Sequence, residues 1–185
     1  MQRPELHERS GWFGSWARWL KWFLLLELAV GVMVGGLLAL GAADPPVAGT
    51  VIFDQAADRG ECLQQPLLPA VNLPATLRIT ATVTTPPEAL TTWGVWVAAP
   101  QGELRWEVLP PGYYRFGGHT VEFFHVGPGA NTLQLNLEMD GTAVLWLNRE
   151  RALETMLSGQ SSPVVWGLYA SGDVCWERIT LFGAN

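Results

Sequence analysis

The hydrophobic pattern of this chain is most continuous over residues 22–43. These positions hold apolar or small residues and a single charged side chain, Glu27. At about 1.5 Å per residue, a helix of this length crosses a hydrocarbon core of about 30 Å. Backbone polar groups must be satisfied internally in lipid, so the segment is predicted to be a transmembrane α-helix. A cleaved signal peptide is the alternative because residues 41–43 are small, but the apolar run is longer than a usual signal core.

Aromatic residues at helical spacing precede this segment. Indole rings settle in the headgroup layer of a membrane with their N–H groups toward water. Residues 1–21 are therefore predicted to form a cytoplasmic tail with an interfacial segment. An aromatic belt that fixes the depth of the helix is favoured over a specific lipid site. The membrane-interface tryptophans are Trp12, Trp16, Trp19 and Trp22.

Small residues follow one face of the predicted membrane helix. Gly31, Gly35 and Ala39 lie four positions apart, a spacing that lets another helix approach closely but also arises by chance. Glu27 lies about one and a half turns into the span. A carboxylate there is costly against lipid, so it lies near the interface, is protonated, or pairs with a neighbouring protein. Together these residues predict a helix docked against other membrane-protein subunits.

After a short linker, residues 44–48, the pattern changes to a period of two. Asp44-Pro45-Pro46 ends the helix because proline cannot continue it. Short alternating segments separated by turn residues then predict an all-β sandwich over residues 49–185. Asp140-Gly141 is a strong two-residue hairpin signal. Residues 149–158 are predicted to be a short helix or a loop.

Charge is distributed unevenly along the 185 residues, which carry a formal net charge of −6. Residues 1–21 have a balance of 4 − 2 = +2, whereas residues 44–185 have seven Arg and fourteen acids, 7 − 14 = −7. The positive-inside tendency places the N-terminus in the cytoplasm. The protein is thus predicted to be a single-pass cell-membrane protein with a periplasmic or extracellular main domain. An acidic outer domain repels phosphate backbones, which makes nucleic acid an unfavourable partner.

Two cysteines, Cys62 and Cys175, lie near the two ends of the predicted sandwich. Outside the cytoplasm such a pair is predicted to form a disulfide, and two buried free thiols are the alternative. The disulfide would place the first segment of the domain beside its last.

The closing strands resemble a known superfamily. Residues 131–148, 165–169 and 176–182 look like the last strands of concanavalin A-like jelly rolls, which include laminin G-like and glucanase-like domains. Residues 51–54 are compatible with the first strand, so the resemblance extends over residues 49–185. It implies an antiparallel jelly-roll sandwich. This chain has Asn148-Arg149 where Asn-Gly is usual.

The catalytic acids of that superfamily are not matched here. Its glucanases carry E-x-D-x-E on one strand, whereas this chain has Glu138-Met139-Asp140 with Thr142 in the third position, so glycosidase chemistry lacks its carboxylates. His119, Glu122 and His125 are spaced unfavourably for the three ligands of a zinc site. We therefore predict no catalytic residue, metal site or cofactor, and no enzyme activity.

Exposed aromatic rings are the remaining signal. The resemblance implies sugar stacking on such rings, and Tyr113 and Tyr114 beside the Gly117-Gly118 turn are the predicted platform. Most other rings are expected in the core. Two functions are therefore considered. The first is a non-catalytic accessory subunit of a larger membrane complex, of a respiratory or photosynthetic kind; the second is a surface glycan-binding or sensing module.

Overall fold

The computed structural model describes residues 11–39, 44–84, 90–100, 102–159 and 162–184. Within these residues the chain forms one helix and eleven strands. They belong to two units, which divide between Asp44 and Pro45.

The first unit is dominated by helix α1, Gly11–Ala39. The helix is continuous, so it includes both the tryptophan-rich segment and most of the predicted membrane span. Its part Trp19–Gly36 is long and apolar enough to cross a membrane, and it equally fits a signal sequence. Residues 1–10 and 40–43 lie outside the described residues, as do parts of the predicted tail and span.

The second unit is a two-layer antiparallel sandwich, which confirms the predicted all-β fold. One sheet has the strand order β1-β11-β2-β7-β8-β9, and the other has the order β10-β3-β4-β5-β6. The strands are β1 Thr50–Ala56, β2 Ala75–Val83, β3 Trp93–Ala99, β4 Gly102–Leu109, β5 Tyr113–Phe116, β6 His119–Glu122, β7 Asn131–Leu137, β8 Thr142–Leu147, β9 Glu150–Met156, β10 Trp166–Ala170 and β11 Val174–Gly183.

The core lies between the two sheets and is filled by alternate residues of nearly every strand. Alternation places one set of side chains inward and leaves the other set on the outer faces. Trp93 and Trp176 meet edge to face across the layers, with ring centroids 5.8 Å apart, and Trp106 stacks on Phe116 at 4.9 Å. Other fully buried side chains are Leu77, Ile79, Leu133, Leu135, Leu145, Ile179 and Leu181.

The segment predicted to be a short helix or a loop is strand β9, so that prediction is wrong. Asn148 and Arg149 both adopt positive φ values, 50° and 73°, which is the backbone of a tight hairpin turn. The side chain of Asn148 holds this turn: its Oδ1 accepts from the N–H of Thr132 at 2.7 Å and its Nδ2 donates to Asn131 Oδ1 at 2.9 Å. The chain therefore returns directly as a paired strand.

Cys62 and Cys175 form the predicted disulfide. Cys175 belongs to β11, and Cys62 precedes Leu63, which makes an isolated bridge with Trp176 of the same strand. The bond therefore joins the segment after β1 to the last strand, as expected from the positions of the two cysteines.

Residues 45–48, which we call the strap, lie across the outer face of the six-stranded sheet. The carbonyl oxygen of Pro46 accepts hydrogen bonds from Gln134 Nε2 at 2.7 Å and Asn136 Nδ2 at 2.8 Å. The N–H of Ala48 donates to Thr76 Oγ1 at 3.0 Å. Since Pro45 is also buried, the predicted linker is an integral part of the sandwich.

Candidate functional site

The outer face of the five-stranded sheet carries charged and aromatic side chains. Along β4, the side chains of Glu103, Arg105 and Glu107 point outward, while Trp106 and Val108 between and beside them are fully buried. Alternation on the neighbouring strands brings further outward residues beside them. We call this surface the five-strand face, and it comprises Gly94, Trp96, Glu103, Arg105, Glu107, Tyr113, Arg115, Thr120, Glu122, Gly167 and Tyr169.

Strand register aligns one row of these residues across all five strands. Tyr169 of β10 faces Gly94 of β3, and Gly94 faces Glu107 of β4. Glu107 faces Arg115 of β5, which faces Thr120 of β6. This row therefore holds, in order across the sheet, an aromatic ring, a carboxylate, a guanidinium and a hydroxyl group.

Gly94 brings β3 and β4 close together in this row, between Tyr169 and Glu107. A Cβ atom at Gly94 would lie 1.9 Å from the carbonyl oxygen of Trp106 and 2.9 Å from Cα of Glu107, so β3 and β4 approach too closely for a side chain. Arg105 lies diagonally from Tyr169 across β3, with its guanidinium carbon 4.8 Å from the centroid of the Tyr169 ring. This distance is typical of a cation–π contact.

Trp96 lies over the second glycine of the face. A Cβ atom at Gly167 would come within 2.6 Å of three indole atoms of Trp96, because the indole covers the β10 backbone where Gly167 has no side chain. Trp96 also faces Arg105 in the register of β3 and β4. The half-buried indole thus covers β10 at Gly167, and the Tyr169 ring two residues further along β10 contacts the guanidinium of Arg105.

Both arginines of the face are paired with carboxylates. Arg105 Nη2 lies 2.8 Å from Glu103 Oε2, and this hydrogen bond raises the pKa of Arg105. Arg115 Nη1 lies 3.2 Å from Glu107 Oε2, and Arg115 Nε donates to Thr120 Oγ1 at 3.2 Å. Glu107 is only 8% exposed, so its charge is compensated chiefly by the guanidinium of Arg115.

The two predicted platform tyrosines lie on opposite sides of the sheet. Tyr113 lies on the five-strand face and is 43% exposed. Tyr114 points into the core, is 5% exposed, and donates from its hydroxyl to the carbonyl oxygen of Ala152 at 3.0 Å; burial raises its pKa. Neighbouring residues of a strand face opposite ways, so Tyr114 has to be removed from the predicted platform.

The other acidic and histidine residues considered from sequence have local roles. Asp140 Oδ1 accepts from the N–H of Thr142 at 2.8 Å in the β7–β8 turn, and this bond lowers its pKa. His125 pairs with Glu150 at 2.9 Å, away from His119 on β6. Among the residues that the structure describes, no three His, Cys, Asp or Glu side chains are grouped to hold a metal ion.

The predicted docking residues of α1 are exposed on the isolated helix. Glu27, Gly31 and Gly35 are all exposed, and a Cβ atom added at either glycine would meet nothing within 4 Å. Trp16, Trp19 and Trp22 are likewise exposed, at 72–78%, and Trp12 and Ala39 belong to the same helix. Helix docking and interfacial placement remain predictions.

The sequence matches no protein-family model and no curated protein. Among solved structures, sheep galectin-11 is similar with a TM-score of 0.52 and 14% identity, covering 65% of this chain and 99% of the galectin. A galectin of Caenorhabditis elegans has a TM-score of 0.50 and 12% identity, covering 69% and 94%. β-Agarase A from Zobellia galactanivorans has a TM-score of 0.42 and 8% identity, covering 72% and 71%.

The two galectin similarities show the fold. The sandwich is a concanavalin A-like jelly roll, as the resemblance of the closing strands implied. At these identities the similarity concerns the arrangement of strands, so the function has to be argued from this chain's own surface.

Sequence reasoning missed most of the five-strand face. Trp96 is among the rings that the sequence pattern predicts in the core, and Tyr169 is not among the predicted site residues. The available signal was the alternation of charges at Glu103, Arg105 and Glu107. A strand whose charged residues alternate with apolar ones has one face toward solvent.

Proposed function

We propose that the sandwich is a glycan-binding module and that the five-strand face is its binding surface. The observation that carries this proposal is the contact of the Arg105 guanidinium with the Tyr169 ring, at 4.8 Å from its centroid, on a face that also carries the half-buried indole of Trp96. The C–H faces of a sugar ring pack on aromatic rings, and its hydroxyls both donate and accept hydrogen bonds. Guanidinium and carboxylate groups beside the rings supply matching donors and acceptors.

Binding without hydrolysis is the activity that this surface supports. Glycosidases need two carboxyl groups about 5–9.5 Å apart. Glu103 and Glu107 are four residues apart on one strand, which separates their Cα atoms by about 13 Å. Each carboxylate is also engaged by an arginine. The pair is therefore better suited to holding hydroxyl groups than to acid and nucleophile work.

We further propose that helix α1 attaches this module to the cell membrane, with the N-terminus in the cytoplasm and the sandwich outside. The Cys62–Cys175 disulfide supports an oxidising compartment for the sandwich. The uneven charge across the helix, +2 before it and −7 after it, supports the same orientation.

A second candidate function is a non-catalytic accessory subunit of a larger membrane complex, of the respiratory or photosynthetic kind. The open surface at Gly31 and Gly35 favours it, since small residues permit close helix contacts. Glu27 on the same exposed helix would then meet a polar partner in another subunit. Stoichiometric co-purification with other membrane subunits in mild detergent would support this function over the first.

The glycan-binding proposal is tested with the full-length protein in nanodiscs on a glycan array. Trp96→Ala is compared with Trp146→Ala, because Trp146 is a half-buried tryptophan on β8 of the other sheet. We expect Trp96→Ala to weaken binding by about tenfold or more, and Trp146→Ala to leave it unchanged. Absence of binding to any glycan, or an equal loss in both variants, would refute the proposal.

A further inference from the structure

We propose that the five-strand face selects uncharged saccharides and rejects saccharides that carry carboxylate or sulfate groups, with Glu107 as the residue that determines this selectivity. The inference rests on the proposed glycan binding and adds the chemical class of the ligand. Three features of the charged residues on the face support it: their pairing, their burial and their net charge.

The two guanidinium groups are already engaged by the protein's own carboxylates. Arg105 is bound by Glu103 at 2.8 Å. Arg115 is bound by Glu107 at 3.2 Å and also by the hydroxyl of Thr120. An anionic sugar would have to displace one of these carboxylates to gain an arginine. A hydroxyl group can instead bind beside an existing pair, because it needs only one donor or acceptor.

Glu107 makes displacement costly. Its side chain is 9% exposed, whereas the side chain of its partner Arg115 is 42% exposed. A buried charge that loses its partner is strongly destabilising, and a second anion placed next to it adds repulsion in a medium of low dielectric. An anionic ligand that drew Arg115 away would leave Glu107 buried and uncompensated.

The surroundings of the face add long-range repulsion of anions. With Glu122 at its margin, the face has two arginines and three glutamates, 2 − 3 = −1. Residues 44–185 together carry a balance of −7. Such a field disfavours the approach of polyanions and leaves neutral ligands unaffected.

A neutral sugar fits the same groups without disturbing them. On the row formed by Tyr169, Gly94 and Glu107, a hydroxyl group would meet an acceptor in Glu107 and donors in Arg105 and Arg115. Trp96 and Tyr169 provide aromatic surface on the same face, and the Tyr169 ring contacts Arg105. Hydrogen bonds to charged groups are the stronger ones, so neutral hydroxyls are sufficient for binding.

The test uses full-length protein in nanodiscs and three matched pairs of polymers: galactan and polygalacturonate, mannan and polymannuronate, and glucan and polyglucuronate. Each pair differs chiefly in a hydroxymethyl group against a carboxylate. We expect the neutral member to bind about tenfold or more tightly in each pair that binds at all. We also expect Glu107→Gln to reduce this preference by about tenfold, because it frees Arg115 to accept an anion.

Glu177→Gln is the matched control, since Glu177 lies on β11 of the other sheet and contacts Thr82; its polymer preference should equal that of the unchanged protein. If Glu107→Gln does not fold, the comparison of the polymer pairs with the unchanged protein still tests the selectivity, and an unchanged preference in a folded Glu107→Gln would remove Glu107 as its determinant. Equal or tighter binding of the carboxylated polymers by the unchanged protein would overturn the selectivity alone. Failure to bind either class would overturn the proposed function.

Discussion

Single side chains on this sandwich differ in role according to the side of the strand from which they project. Tyr113 and Tyr114 are neighbours in sequence, yet one is exposed on the five-strand face and the other is buried in the core. Glu107 and Trp106 show the same relation on β4. Substitutions at adjacent positions should therefore separate binding from stability.

Tyr114→Phe should lower the free energy of unfolding by about 1 kcal/mol, because it removes the hydrogen bond from the Tyr114 hydroxyl to the carbonyl oxygen of Ala152. Glycan binding should not change. Tyr113→Phe is the control, and its exposed hydroxyl makes the expected change in stability negligible. Urea denaturation measures both, and equal stabilities would contradict the assigned role of Tyr114.

Asp54 should contribute stability that depends on pH. Arg178 and Thr180 donate hydrogen bonds to its carboxylate and hold its pKa below the ordinary value of 3.8. The unfolded chain therefore takes up this proton at a higher pH than the folded chain. The contribution is present above pH 3.8 and is lost as the pH falls through the lowered pKa.

Thermal unfolding of the unchanged protein and Asp54→Asn should then differ at neutral pH and converge in acid. The difference should be small, since the Arg178 side chain is 59% exposed and water screens the pair. Arg178→Gln should show the same convergence. A difference that persists at the lowest pH would assign the effect to packing.

For single residues, only part of the candidate site could be predicted from the sequence. The exposure of Tyr113 follows from its strand, but whether Tyr113 or Tyr114 faces outward depends on register. Tyr169 and Arg105 are 64 positions apart in the numbering, 169 − 105, and meet only through β3 between their strands. The alternation of polar and apolar residues along one strand does not show which distant residue will lie beside it.

At the scale of elements, two glycines shape the five-strand face by lacking side chains. Gly94 permits the close approach of β3 and β4, and Gly167 supports the indole of Trp96. Neither glycine indicates a turn, because both lie within paired strands. A glycine inside a strand instead indicates that another backbone or side chain approaches closely.

Gly167→Ala should weaken glycan binding about tenfold and leave the fold intact. The added methyl group would lie 2.5 Å from Trp96 ring atoms, so the indole has to move, while β10 can keep its pairing with β3. Gly129→Ala is the matched control, since a Cβ atom there meets nothing within 4 Å. Isothermal titration with a bound glycan gives the ratio of affinities, and unchanged affinity in Gly167→Ala would remove Trp96 from the binding surface.

The strand β9 shows where element prediction depends on a few atoms. Residues 149–158 lack a clear period, and their strand follows from the Asn148-Arg149 turn and its hydrogen bonds to Asn131 and Thr132. Those bonds come from β7, so they are tertiary contacts. By contrast, the β7–β8 hairpin was predictable because Asp140 and Gly141 determine their turn locally.

At the scale of the whole molecule, the disulfide joins two distant parts of the sandwich. The sequence separation of Cys62 and Cys175 is 113 residues. The cysteines therefore predicted that the first and last segments are neighbours, which the pairing of β1 with β11 bears out. The full strand order β1-β11-β2-β7-β8-β9 was not predictable, because each of its long-range pairs depends on the assembled core.

Replacing both cysteines by serine should lower the free energy of unfolding by about 4–5 kcal/mol in the chain-entropy description of a loop this long. Chemical denaturation of the double variant against the oxidised protein measures the change. The reduced protein should resemble the variant. A change below about 1 kcal/mol would show that the unfolded chain already keeps these segments together.

Gly31→Leu combined with Gly35→Leu tests the second candidate function. If α1 docks on other helices, the larger side chains should release the protein from co-purifying subunits while it stays in the membrane fraction. Ala29→Leu combined with Met33→Leu is the control, because these exposed positions lie on the side of the helix opposite the two glycines. Unchanged association in the glycine variant would count against docking through this face.

The strap determines which part of the protein stays folded if the chain is cut before residue 45. Since residues 45–48 are hydrogen-bonded to Thr76, Gln134 and Asn136 of the six-stranded sheet, their structural role belongs to the sandwich and is independent of α1. A protease that cuts ahead of Pro45 should therefore release a soluble sandwich whose five-strand face, the proposed glycan-binding surface, is unchanged. Under the proposed function, the released form would compete with the membrane-attached form for the same glycans.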